Sequence, residues 1–167
     1  MDVMPRFVAQ RRLPSTFRSH PKGGGIVAEF DVYPSRHARL AAKVLVFASK
    51  RAMRTFWAKA LGRDDLGPRC EGAVNSLLFQ VQSPEGKVLR VGGDPRYFCV
   101  VGLLRRRLTT EIVCHESVHV GFAYHNRVAR SPFAGPDDLE EERVAYPAGA
   151  VAAAILANLS ARGWLLP

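Results

Sequence analysis

Thr109-Thr110-Glu111-Ile112-Val113-Cys114-His115-Glu116-Ser117-Val118-His119 is the stretch whose reading decides the fold and the chemistry of this chain. It contains the pattern H-E-x-x-H, which has chemical meaning only on a helix. Thr109 and Thr110 supply a helix start, and Ile112, Val113, Val118 and Phe122 give the segment apolar surface to bury, so a helix is expected from about Leu108 to Arg127. Residues four apart on a helix share a face, so His115 and His119 can reach one zinc ion, while Glu116 stands beside them as the general base for a water.

Catalytic zinc usually takes three protein ligands and keeps a fourth position for water. A last helix is expected from Leu139 to Arg162, closed by Gly163, and it opens with Glu140, Glu141 and Glu142. With about 100° per residue, Glu141 falls inside the arc of Val144, Ala148, Val151, Ile155 and Leu159, while Glu142 lies beyond its edge. A carboxylate on a buried stripe needs a cation to meet it, and zinc on the preceding helix would do so. Glu141 is therefore the expected third ligand, with Glu142 in reserve. His125 also competes, since it follows His115 at the spacing of the extended H-E-x-x-H-x-x-G-x-x-H pattern. However, Phe122 stands where that pattern has glycine, no methionine follows the motif, and His125 points about 80° away from His115 on an unbroken helix. Tyr124 and Tyr146 are candidates for contacts to substrate or to a developing oxyanion.

These residues together, with Glu-Glu-x-x-Ala-Tyr at 141 to 146 and an alanine-rich closing helix, resemble the small zincin-type metallopeptidases of the gluzincin arrangement. In style the chain is similar to ImmA/IrrE-like and phage-encoded zinc peptidases of bacteria. The resemblance spans about Thr109 to Leu159. It implies a zincin-like fold, zinc held by His115, His119 and Glu141, Glu116 as general base, and hydrolysis of a protein or peptide substrate. Pro147 departs from a plain ligand helix, because it removes a backbone donor and is expected to kink the chain there.

Upstream of the motif, residues 1–25 are basic and end in Gly23-Gly24-Gly25, and are read as a flexible arm before a single domain over 26–167. Ile26 to Tyr33 reads as a strand, and His37 to Leu61 as an amphipathic helix stopped by Gly62. Ala73 to Val81, Val88 to Val91 and Tyr97 to Leu104 read as strands, with turns at Ser83 to Gly86 and Gly92 to Pro95 and a loop from Ser131 to Asp138. The expected class is α+β: a short, mostly antiparallel sheet with one helix in the N-terminal half and two C-terminal helices packed together. The Tyr97 to Leu104 strand is expected to offer an extended substrate an edge to pair with.

The chain has 167 residues, enough for one domain with its own core. Cys70, Cys99 and Cys114 lack a C-x-x-C spacing, which excludes a cysteine zinc knuckle and a disulfide framework and favours a reducing compartment. Cys114 is expected to be a small buried residue. Met1 to Arg12 lack a secretory signal's apolar run, and the uncharged run from Val144 to Ala161 is interrupted by Pro147, Asn158 and Ser160, so the expectation is a cytoplasmic protein with no membrane span. The formal charge is +9. The Lys43 to Lys59 face and Arg105-Arg106-Arg107 offer a basic surface to an acidic partner or nucleic acid, which leaves a non-catalytic zincin scaffold as the alternative to a peptidase.

Overall fold

Alternate burial of Ala28, Phe30 and Val32 makes Ile26–Val32 a strand with one apolar face (β2), while Ala41–Phe47 (β3) and Tyr97–Leu104 (β7) are buried nearly throughout and form the centre of the sheet. The computed structural model describes residues 18–19, 25–61, 70–76, 79–82, 88–91, 96–129 and 138–167. The order along the chain is β1 (Arg18–Ser19), β2, β3, α1 (Lys50–Leu61), β4 (Gly72–Ser76), β5 (Phe79–Gln82), β6 (Val88–Val91), β7, a single 3-10 turn at Arg105–Arg107, α2 (Thr110–Ala129) and α3 (Asp138–Ser160). The main sheet runs β1-β2-β3-β7-β4, with β1 a two-residue pairing at its margin, and β5 pairs with β6 in a separate ribbon.

The class is α+β, as the sequence implies, but the sheet is mixed. β3 and β7 are parallel, with Phe47 opposite Leu104, and β4 returns antiparallel to β7, with Gly72 opposite Leu103. Parallel neighbours need a long crossover, and α1 lies within it. The helix expected from His37 to Leu61 is split. Its first part is β3, because Val44, Leu45, Val46 and Phe47 are buried on both sheet faces, and a continuous apolar run does not reveal its period. The second part is α1, capped by Ser49, whose hydroxyl accepts the Ala52 N–H at 3.2 Å. The Ser35 expected to cap the longer helix instead holds a turn, accepting the N–H of His37 at 3.3 Å.

Two apolar layers flank the sheet. On one face Phe30, Val44, Val46, Val101 and Leu103 pack against Val113 and Val120 of α2 and Val151, Ile155 and Leu159 of α3. On the other, Leu45, Phe47 and Val100 pack against Met53 and Trp57 of α1. Burial of each such side chain contributes about 1.5–3 kcal/mol before entropy is charged against it.

α2 and α3 form an antiparallel hairpin. At one end, Leu166 just beyond α3 donates its N–H to the Leu108 carbonyl at 2.7 Å, and Arg105 lies 4.4 Å over the Trp164 ring. Further along, Gly121 brings the backbones together: a Cβ there would lie 2.6 Å from the Val144 carbonyl oxygen and 3.0 Å from the Ala148 Cβ. α3 runs without a break through Pro147. Gly163, at φ 61°, closes α3: its N–H bonds Ser160 O at 2.9 Å and that of Trp164 bonds Leu159 O at 3.0 Å, a Schellman turn. No helix among the described residues is long and apolar enough to cross a membrane. The arm before Arg18, the Gly62 stop, the turns at 83–86 and 92–95 and the loop from Ser131 lie outside the described residues.

Candidate active site between α2 and β4

The helix expected around H-E-x-x-H is present. Thr109 caps α2 through its hydroxyl, which accepts the Ile112 N–H at 3.3 Å, and Val113, Ser117 and Val120 turn inward. That orientation leaves His115 and His119 exposed one turn apart, with ring centroids 5.0 Å from each other and planes at 78°. Both line a cleft of about 840 Å³ between α2 and β4. Gly72, Ala73 and Val74 form the opposite wall, and Cys70 and Glu71 line it at one end.

Glu116 sits beside the histidines but is only 6% exposed. Its side chain packs on the backbone of β4 at Gly72: a Cβ on that glycine would lie 2.6 Å from Glu116 Cγ and 2.7 Å from Oε1. Burial holds the Glu116 carboxyl above the usual carboxylate range, and the neighbouring His115 partly opposes it. The Cys70 thiol donates to the Gly72 carbonyl at 2.6 Å and is also pushed up, first by burial and then by Glu116. The cleft therefore presents two accessible imidazoles and one desolvated carboxyl on a wall of extended backbone. A carboxyl so placed holds a proton more readily than an exposed one and can exchange it with a water or an amine in the cleft.

The remaining candidates lie elsewhere. Glu141 and Glu142 are exposed on the first turns of α3. Counted along the hairpin from the contact of Gly121 with Val144 and Ala148, Glu141 lies roughly 10 Å from the level of His119, at 1.5 Å per residue. The arc that carries Val144 and Ala148 is indeed buried, but α2 runs ten residues past His119, so α3 begins well beyond the histidines. His125, on the buried side of α2, is 3% exposed and does not line the cleft. Tyr124 packs edge-on against Phe98 at 5.1 Å between centroids, and Tyr146 is 75% exposed on α3; neither lines the cleft. Among the described residues no set of three His, Cys, Asp or Glu side chains converges on one point. The His115 and His119 pair thus fits two of the three ligand places of a zinc site, and among the described residues no third donor stands in place as the helices are packed.

Two expectations are corrected. Cys114 is exposed, because the inward face of α2 passes through Val113 and Ser117 instead. β7 cannot receive a substrate strand, since β3 and β4 occupy both of its edges. The edge facing the cleft belongs to β4, and among the described residues no strand pairs with its outer side.

Comparison with protein-family models, with curated proteins and with solved structures finds no match to this chain. Gly72 was not legible as a site residue, because nothing in the sequence sets the level of β4 against α2. Glu111, which also lines the cleft, stands four residues before His115 and could have been placed on the same face by spacing alone.

Proposed function

We propose that this protein is a zinc-dependent peptidase of the zincin type, and the observation that carries the reading is Glu116, desolvated against Gly72 beside the exposed His115 and His119. Bound zinc would supply Lewis-acid polarisation of a carbonyl and acidify water. Glu116 takes the proton of the attacking water and passes it to the leaving amine, and the burial that raises its pKa makes it a better proton acceptor than an exposed carboxylate. The outer edge of β4 aligns an extended peptide by main-chain hydrogen bonds along the cleft. His115 and His119 hold the metal. Glu141 is the proposed third ligand, brought to them by re-packing of the first turn of α3. The substrate class is protein or peptide.

The exposed, displaced position of Glu141 favours a second reading: a zincin scaffold without catalysis that binds an acidic protein or nucleic acid through its basic surface. A peptide-library digest with zinc, analysed by mass spectrometry for wild type and Glu116→Gln, separates the two. Cleavage that falls at least about a hundredfold in Glu116→Gln supports the peptidase. Absence of cleavage by wild type, or equal cleavage by both proteins, supports the scaffold.

A further inference from the structure

The cleft does not end at Cys70 and Glu71. β3 and β7 are parallel, so both deliver the chain to the same end of the sheet, β3 into the start of α1 and β7 into the Arg105–Arg107 turn. A second depression opens there, bounded by Ser49, Lys50, Arg106 and Arg107, and it shares Cys70, Glu71 and Arg107 with the histidine cleft. Through Lys50 it continues onto the flank of α1, which Arg51 and Arg54 line. Five cationic side chains therefore border a groove of three adjoining depressions leading away from His115. Among the described residues its acidic members are Glu71, held by Arg107 at 3.3 Å, and, within the histidine cleft, Glu111 and Glu116. The first turn of α1 has no acidic residue, and the helix N-terminus adds partial positive charge at the same place.

We propose that this groove binds the acidic flank of the substrate, so that the peptidase acts on chains with a run of Asp or Glu on the α1 side of the scissile bond. The inference rests on the peptidase reading and names its substrate class. An extended peptide suits the geometry because the groove starts beside the outer edge of β4, where main-chain pairing fixes its path. Single-stranded nucleic acid would also meet the charge. It binds such grooves by stacking bases on aromatic side chains, however, and among the described residues none lines the stretch from Arg107 to Ala58.

The test uses the full chain carrying Glu116→Gln, so that nothing is cleaved, and follows fluorescence anisotropy of three labelled probes: an Asp/Glu-rich decapeptide, its Asn/Gln counterpart, and single-stranded DNA of equal charge. The acidic peptide binds tightest. Arg106→Glu and Arg51→Glu each weaken it about tenfold, and Arg39→Glu, an exposed site at the far end of β3, leaves it unchanged. Tighter binding of DNA than of the acidic peptide, no preference over the neutral peptide, or equal loss in Arg39→Glu would overturn the proposal. Binding does not depend on turnover. Groove-dependent binding without cleavage of the acidic peptide by wild type would leave the groove in place and remove the peptidase, whereas equal cleavage of acidic and neutral peptides would do the reverse.

Discussion

Glu116 and Gly72 act as a pair. The carboxyl lies where a glycine Cβ would be, so the smallest residue in β4 makes room for the proposed base. Gly72→Ala is expected to displace Glu116 and reduce peptide cleavage about as far as Glu116→Gln does, at least about a hundredfold, with a stability loss of about 1–3 kcal/mol. A cleavage assay alongside thermal melting checks both, and full activity in Gly72→Ala would show that the position of Glu116 is unimportant. At this scale the sequence was informative where chemistry is local. The spacing of His115, Glu116 and His119 along one helix needs only the 3.6-residue period to be read. Gly72 and the exposure of Cys114 depend on which face of α2 meets the sheet, and that is decided by contacts far apart in the chain.

The expected helix over His37 to Leu61 shows where elements resist reading. A strand buried on both faces carries no alternation, and β3 looks like half of an apolar helix until β2 and β7 are placed beside it. The outward-facing Lys43 is held by this pairing. It lies opposite Asp31 in β2, 3.5 Å from that carboxylate and 3.4 Å from Glu29, with the Tyr97 hydroxyl also 3.5 Å away. Burial pulls the Lys43 pKa down, but Asp31, Glu29 and Tyr97 together outweigh it, so the pKa lies above the ordinary lysine value. A raised lysine stabilises fully below its unfolded pKa of about 10.4, and that contribution is lost as pH rises through the folded value. Lys43→Met should therefore cost about 1–2 kcal/mol in urea titrations, the cost being constant between about pH 7 and 9 and shrinking above that range. A pH-independent difference would contradict the ion cluster.

The α2–α3 hairpin depends on a backbone approach in the same way. Gly121→Ala places its methyl against the Val144 carbonyl, which cannot rotate aside, and should destabilise the protein by about 1–3 kcal/mol in the same titration. An unchanged midpoint would mean that the helices are not held at this point.

Across the whole molecule, the mixed sheet brings the outer edge of β4, the histidine pair and the basic end of the parallel strands to one side. The α+β class and the closing pair of helices were legible from period and capping alone. The position of Glu141 was not, because a helical wheel gives its angle on α3 and not its height along α2. Glu141→Gln is expected to lower zinc occupancy and His125→Ala to leave it nearly intact, since His125 is buried away from the cleft. The reverse order would assign the place to His125 and require α2 to break near Gly121.

The central claim, that His115 and His119 are metal ligands beside a working base, is tested most directly by zinc content per chain, measured by mass spectrometry after zinc-supplemented purification of wild type and His119→Ala. The account predicts about one equivalent in wild type and its loss in the variant, because a single imidazole and one carboxylate hold the ion poorly. Zinc below about a tenth of an equivalent in wild type, or an equivalent retained in His119→Ala, would contradict it.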